Sequence, residues 1–274
     1  MSNASFSSAV TLSLVPEAAG GPFVFWDDLA GNARLIKSMG FDAVEIFAPS
    51  AEFLRSLDLK KVLEEAELRL AALGTGAGWV LHKWTLTHSD PSIRGKARDF
   101  VGELIKHASE FGAPAIVGSM QGRFEGNVSR QQALAWLREG LNELGGMAAA
   151  QGTVLLFEPL NRYETNLINR IEDGVNLLKS LETDSVRLLV DLFHANIEET
   201  STATAIEKAA GHIGHIHFVD SNRRAAGWGQ IDFKPIVQAL KSVGYRGYLS
   251  AEAQAHGDAE GAAKQTLRSY RSLA

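Results

Sequence analysis

The chain has 274 residues, which suits one (β/α)8 barrel of about 250 residues plus short ends, and no Pro-, Gly- or Ser-rich linker divides positions 1-274 into two domains. A formal net charge of −5, with lysine and arginine scattered rather than striped, excludes the basic footprint of a nucleic-acid or anionic-membrane binder. There is no cysteine, so disulfides and thiolate metal sites are excluded and a reducing cytoplasm is the expected compartment, while 45% hydrophobic against 22% charged residues leaves ample material for a core.

The opening Met1-Ser-Asn-Ala-Ser-Phe-Ser-Ser8 lacks the basic and long apolar regions of a signal peptide. No run approaches the ~18 apolar residues of a membrane span, so a soluble protein is expected. Residues 10–15 alternate Thr and Ser with apolar residues and predict strand 1. Helix 1 follows over 27–39, stopped by Gly40, then strand 2 over 41–46 with Glu45 near its end. Periodicity predicts helix 2 over 57–67, strand 3 over 68–73 and helix 3 over 94–111, opened by Pro91. Strand 4 spans 113–117, and helix 4 runs from Ser129, a suitable N-cap, to Gln151. In the second half, strands ending at Glu158, Asp191, near Val219 and at Glu252 alternate with helices over 170–181, 203–210, 233–243 and 258–270. Eight β-α units in order predict a closed (β/α)8 TIM barrel.

Four of the apolar runs end in residues that bind metals. They are Val154-Leu-Leu-Phe-Glu158, Arg187-Leu-Leu-Val-Asp191, Ile213-Gly-His-Ile-His217 and Tyr248-Leu-Ser-Ala-Glu252. Continuous apolar runs of this length fit buried parallel strands. The spacings between ligands, 33, 26 and 35 residues, are about one strand-helix-strand repeat each. Strand ends in a barrel share one mouth, so Glu158, Asp191, His217 and Glu252 should converge. Any one of them alone is as easily a polar strand end satisfied by local hydrogen bonds; four at matching ends argue for a divalent metal. An oxygen-rich set with one imidazole suits Mn2+ or Mg2+, with Co2+ or Zn2+ tolerated. Strands 5 and 8 are expected on opposite sides of the mouth, so Glu158 and Glu252 should face each other across the metal. A metal on a carbonyl and its neighbouring hydroxyl acidifies the C–H between them and favours an enediolate. One glutamate then removes the proton and the other returns it, or both are ligands only; the residues leave both roles open.

Together Phe157-Glu158-Pro-Leu-Asn161-Arg162-Tyr163-Glu164, Asp191-Leu-Phe-His194-Ala-Asn196-Ile-Glu198, His217-Phe-Val-Asp-Ser-Asn222-Arg223 and Ala251-Glu252 resemble the ketose 3-epimerase branch of the xylose-isomerase-like barrels. The resemblance runs through the chain in strand order and is densest from Phe157 to Glu252. It implies that Glu158, Asp191, His217 and Glu252 are the metal ligands and that Glu158 and Glu252 transfer the proton. It implies further that Glu164, His194 and Arg223 hold substrate oxygens near the metal. A small keto sugar, or a keto-sugar acid, is the implied partner, and a homodimer or homotetramer the implied assembly.

Other residues carry weaker expectations. His215, two before His217, reads as a hydrogen-bonded core histidine; His82 and His88 read as surface residues, and Asn161 and Arg162 as braces for their loop. Gly74-Thr-Gly-Ala-Gly78 lacks the Lys-Ser/Thr pair of a phosphate loop, and Trp79-Val-Leu after it gives no clear helix start. Its expected task is to let backbone pass close to substrate, with Trp79 as an apolar wall. Gly118-Ser-Met-Gln121-Gly-Arg123 should face the mouth, with Arg123 as a partner for a substrate carboxylate. Against an epimerase stand an aldose–ketose isomerase of the hydroxypyruvate isomerase kind, which differs only in the carbon that is reprotonated, and a multi-zinc nuclease, which needs more His and Asp and a basic groove. A sugar-binding barrel without catalysis would not need two opposed carboxylates.

Overall fold

In the computed structural model, which describes residues 6–273, the elements follow in the order a barrel requires. β1 (Ser7–Ser13) is followed by the two-residue β2 (Phe25–Trp26), α1 (Leu29–Met39), β3 (Ala43–Phe47), α2 (Ala51–Ser56) and α3 (Leu59–Glu65). Then come β4 (Arg69–Gly74), α4 (Ala77–His82), α5 (Pro91–Ser109), β5 (Ala115–Val117) and α6 (Arg130–Ala150). The second half has β6 (Leu155–Phe157), α7 (Ile171–Lys179), β7 (Val186–Asp191), α8 (Leu192–Glu198), α9 (Thr202–Lys208), β8 (Ile213–His217), α10 (Phe233–Ser242), β9 (Tyr248–Ala251) and α11 (Ala259–Leu273). β1 and β3 to β9 pair in sequence, all parallel, and β9 returns to β1 through Ser7↔Tyr248 to Val10↔Ala251. The eight-stranded ring is closed, as the eight β-α units predict. β2 is an addition that pairs only with the end of β1.

Strand alternation explains where the site falls. Successive side chains point to opposite faces, so residues two apart share a face. Leu155 and Phe157 point out into the layer packed under the helices, whereas Leu156 packs inside the barrel with Ala72, Ile116 and Leu189. One step further along the same inward rows lie Glu158 above Leu156, Gly118 above Ile116 and Asp191 above Leu189. His217 stands above His215 and Glu45 above Ala43 in the same way. An apolar floor and a polar mouth therefore come from one periodicity.

Local departures from the predicted elements have identifiable causes. Strand 1 lies a few residues earlier than 10–15, and Leu14, just past its end, still donates to Phe47 O at 2.8 Å. The helix expected over 57–67 is α3 alone; α2 lies ahead of that range, and Asp58, in the left-handed region (φ 49°), separates the two and caps α3 by accepting from Lys61 N. The segment after the glycine loop, which gives no clear helix signal in sequence, is the helix α4; Gly76 and Gly78 let it pack against Phe47 and Met120, where a Cβ would come within 2.9 Å and 2.6 Å. α8 starts directly at Asp191, ahead of the helix expected over 203–210, because the Asp191 carboxylate accepts from His194 N at 3.0 Å as an N-cap. β8 stops at His217, and Val219 makes only an isolated bridge to Ala225. The expectation drawn from the chain's opening falls largely on residues 1–5, outside the described residues. Among the described residues no helix is long and apolar enough to cross a membrane.

Phe157 is fully buried between barrel and helices, one residue before the site. Phe157→Ala should cost about 3–5 kcal/mol. That outcome is read as a lower urea midpoint with an unchanged denaturant slope.

Candidate active site

Glu158, Asp191, His217 and Glu252 each place a ligand-type atom within 4.8 Å of the others at the barrel mouth. Three carboxylates face one ring nitrogen. Asp191 Oδ2 lies 3.2 Å from His217 Nδ1, and Glu158 Oε1 and Glu252 Oε2 each lie 3.5 Å from it. A single N–H cannot satisfy three acceptors, and the buried Glu158 Oε1 has no hydrogen-bond partner. Burial, with Glu158 and Asp191 alongside, pushes the Glu252 carboxyl up to about 8 against the pull of His217 and Arg223. Burial opposes a charged His217, yet Glu252, Glu45, Asp191 and Glu158 outweigh it and hold the imidazole well above its usual range. The cluster demands positive charge at Nδ1. Three carboxylate oxygens and one imidazole nitrogen are a donor set that fits a divalent metal ion.

The other face of His217 is fixed by Glu45. Glu45 Oε1 lies 3.0 Å from His217 Nε2, and its Oε2 lies 2.8 Å from His215 Nε2. Despite burial, His217 and His215 hold the Glu45 carboxyl below the usual carboxylate range, so it is ionised. An ionised carboxylate on Nε2 leaves Nδ1 as the ring atom that could hold a metal, and raises its basicity. His215 is buried and hydrogen-bonded, as expected for a core histidine.

Around the cluster the donors are also set by their neighbours. His194 Nδ1 faces the Asn161 side-chain amide at 2.7 Å and its backbone N–H at 3.4 Å. Asn161 Oδ1 accepts from Tyr163 N at 2.9 Å, which orients the amide with Nδ2 toward His194. Nδ1 is thus the acceptor, and Nε2, buried without a partner 3.8 Å from Glu158 Oε1, carries the proton. Arg223 Nη1 donates to Glu164 Oε1 at 2.9 Å, and its Nη2 lies 3.6 Å from Glu252 Oε2. Arg223 sits in the left-handed region at φ 59°, a strained conformation for a side chain of this size. Asp220 holds it there by accepting from the backbone N–H groups of Ser221, Gly227 and Ile231 at 2.8, 2.8 and 3.1 Å.

The cluster opens into a cavity of about 280 Å3, whose wall includes Glu164, His194, Arg223 and Trp79. Arg123 is not on that wall. It is exposed and lines a neighbouring cavity, so Arg123 and Arg223 do not converge. β6 stands one strand short of the position directly across the ring from β9, so Glu158 and Glu252 approach from separate strands without being diametrically opposed. His82 is exposed and stacks on Trp84 at 4.2 Å, whereas His88 is half-buried in the neighbouring cavity. Arg162 braces its loop through a forked pair with Glu198 at 3.0 Å on each oxygen.

Sequence reasoning missed several parts of this site. Glu45 carried a signal, a charged residue at an inward position of an apolar strand. Gly118 carried one only in hindsight: a Cβ there would lie 2.4 Å from Glu158 Oε2, so the glycine makes room for the carboxylate. Phe23 and Phe47, which pack at 4.6 Å on the first-half wall, had no sequence pattern that marked them.

An eight-stranded parallel barrel with this cluster at its carboxyl mouth is a TIM barrel whose donor set fits a divalent metal. Residues 33–273 match the xylose isomerase-like TIM barrel family, and the chain belongs to it. It is 30% identical over 239 residues to D-psicose 3-epimerase of Ruminiclostridium cellulolyticum, covering 84% of this chain and 81% of that one. It is 27% identical over 240 residues to 3-dehydro-D-guloside 4-epimerase of Escherichia coli K12, covering 84% and 88%. The crystal structure of 3-keto-D-glucoside 4-epimerase from E. coli, apo form, shares the fold, with a TM-score of 0.82 at 24% identity over 97% of this chain and 99% of that one.

Because Glu45 orients His217 from behind, Glu45→Gln should weaken Mn2+ binding by roughly 10–100-fold with the fold intact. Calorimetric titration of the metal, with circular dichroism as the fold control, reads this directly. An unchanged affinity would remove Glu45 from the site.

Proposed function

We propose that the protein is a divalent-metal-dependent epimerase that inverts a carbinol carbon next to the ketone of a keto sugar. The observation that carries this reading is the meeting of Glu158 and Glu252, from separate strands, in one cluster with Asp191 and His217. Relatives named as psicose, ribulose and guloside epimerases support it. Glu158, Asp191, His217 and Glu252 would hold the ion, and the oxygen-rich set with one imidazole favours Mn2+. The ion supplies Lewis acidity to the carbonyl and its neighbouring hydroxyl, which makes the C–H between them removable.

The protein's own groups do the rest. Glu158 takes the proton from one face and Glu252 delivers one to the other; for the opposite epimer the roles reverse. The His194 Nε2–H, buried without a partner, donates to a substrate oxygen. Arg223 and Glu164, paired to each other, present a guanidinium and a carboxylate edge to substrate hydroxyls. Trp79 forms an apolar wall beside them. An aldose–ketose isomerase shares the first proton transfer but needs only one base, and the two convergent glutamates favour epimerisation.

In this reading residues 1-274 form one barrel domain that works in the cytoplasm, in keeping with the lack of cysteine. Barrels pair into a homodimer or homotetramer, and Phe53 and Leu57, large apolar residues left 37% and 36% exposed near the end of α2, suit such a contact.

Glu158→Gln and Glu252→Gln each keep an oxygen for the metal and lose the proton acceptor. Each should lower kcat by at least the ~10²–10⁴-fold typical of lost acid–base catalysis, with only a modest fall in metal occupancy. In D2O the two variants should differ. Glu252→Gln should still exchange the proton of the epimer that faces Glu158 without completing inversion, and Glu158→Gln should exchange only the other epimer. Near-wild-type epimerisation by either metal-loaded variant would refute the two-base mechanism. Removal of the metal by chelation should abolish turnover, and Mn2+ should restore it.

A further inference from the structure

The cavity over the cluster does not account for all the concave surface at the barrel mouth. A second cavity of about 270 Å3 abuts it. Trp79, Ser119, Leu160 and Glu164 line both, so the two meet at that wall. The far side is formed by Thr87, His88, Ser89, Arg123 and Val128. Proton transfer makes no use of it.

The chemistry of this second cavity is mixed. The backbone carbonyl of Arg123 accepts from Thr87 Oγ1 at 3.3 Å, while its guanidinium makes no hydrogen bond or ion pair among the described residues. His88 Nδ1 accepts from Asp90 N at 3.0 Å, which leaves Nε2 as the N–H donor of the neutral ring. The single Thr87 hydroxyl proton points chiefly to Gln121 O at 2.8 Å and is shared with the longer Arg123 contact, so Oγ1 offers lone pairs. One guanidinium stands against the carboxylates of Glu125 and Glu164, a balance that does not select an anion. Leu160 and Val128 supply apolar surface, and so does Trp79, a residue 39% exposed with Lys83 Nζ 4.8 Å from its ring centre. Apolar faces beside paired donors and acceptors match a pyranose ring, which shows C–H groups on its face and hydroxyls at its edge. The two cavities are also nearly equal in volume, which suits one ring in each.

We propose that the second cavity is a subsite for a further sugar ring, so that the substrate is a keto sugar bearing a glycosyl substituent rather than a free monosaccharide. This assignment rests on the keto-sugar epimerase reading and names its substrate class.

The test uses the full chain loaded with Mn2+ in D2O. D-fructose is compared with glucosyl-fructoses that carry the second ring on O1, O4 or O6. At least one disaccharide should show a kcat/KM for exchange at least tenfold above that of fructose. Ser89→Trp fills the second cavity from an exposed position, and Val128→Phe fills it from the other wall. Either should reduce the disaccharide-to-fructose ratio at least tenfold. Fructose matching all three disaccharides, or a ratio that neither substitution moves, would overturn the subsite. Saturation-transfer NMR separates this proposal from the reading beneath it. Saturation reaching both rings in the wild type, and only the fructose ring in Ser89→Trp, supports the subsite even if no sugar exchanges, in which case the epimerase reading fails alone. Exchange of fructose with no saturation of any second ring, or no binding of any disaccharide, rejects the subsite.

Discussion

Three carboxylates held within 3.5 Å of one imidazole nitrogen repel each other, and the rest of the mouth is arranged to keep them there. No flexible surface would hold such a cluster, because the side chains would rotate apart into water. Here each is anchored to the end of a different strand in a closed ring, and strand periodicity aims all four ligand-type residues inward. Confinement of like charge in a buried site creates the demand for a cation. The raised Glu252 and the raised His217 are both consequences of that demand.

Supporting residues convert this crowding into geometry. Glu45 fixes His217 from the barrel interior, so Nδ1 and not Nε2 meets the carboxylates. The absent Cβ of Gly118 leaves room for Glu158, and Gln121 Nε2 holds the Glu158 backbone carbonyl at 2.9 Å. Asp191 serves two elements at once: one oxygen caps α8 and the other faces His217. That helix then carries His194, whose tautomer Asn161 selects. His194 thus inherits its position from the carboxylate–imidazole cluster, so the cavity wall and the cluster are positioned together.

The second half of the barrel was legible in sequence because ligand-type residues at strand ends stand out against apolar runs. Glu158, Asp191, His217 and Glu252 could be read from spacing alone, since each lies at the same phase of the same repeat. The first half resisted because its contribution is made of walls and spaces. Phe23 and Phe47 look like any core aromatic, and Gly118 acts through an atom it lacks. Arg123 misled for a related reason: its place after strand 4 points to the mouth, but the turn after β5 carries it to the adjoining cavity. α8 and α4 escaped prediction because each is about two turns long and depends on a single local event, a capping carboxylate in one and a glycine contact in the other.

The central claim is that Glu158, Asp191, His217 and Glu252 bind one divalent ion together. Anomalous diffraction from crystals grown with Mn2+ tests it most directly. The account predicts one strong peak about 2.0–2.4 Å from an oxygen of each of the three carboxylates and from His217 Nδ1. A peak bound instead to Glu45, His215 and His217 Nε2, or no peak among these residues at saturating Mn2+, would contradict it.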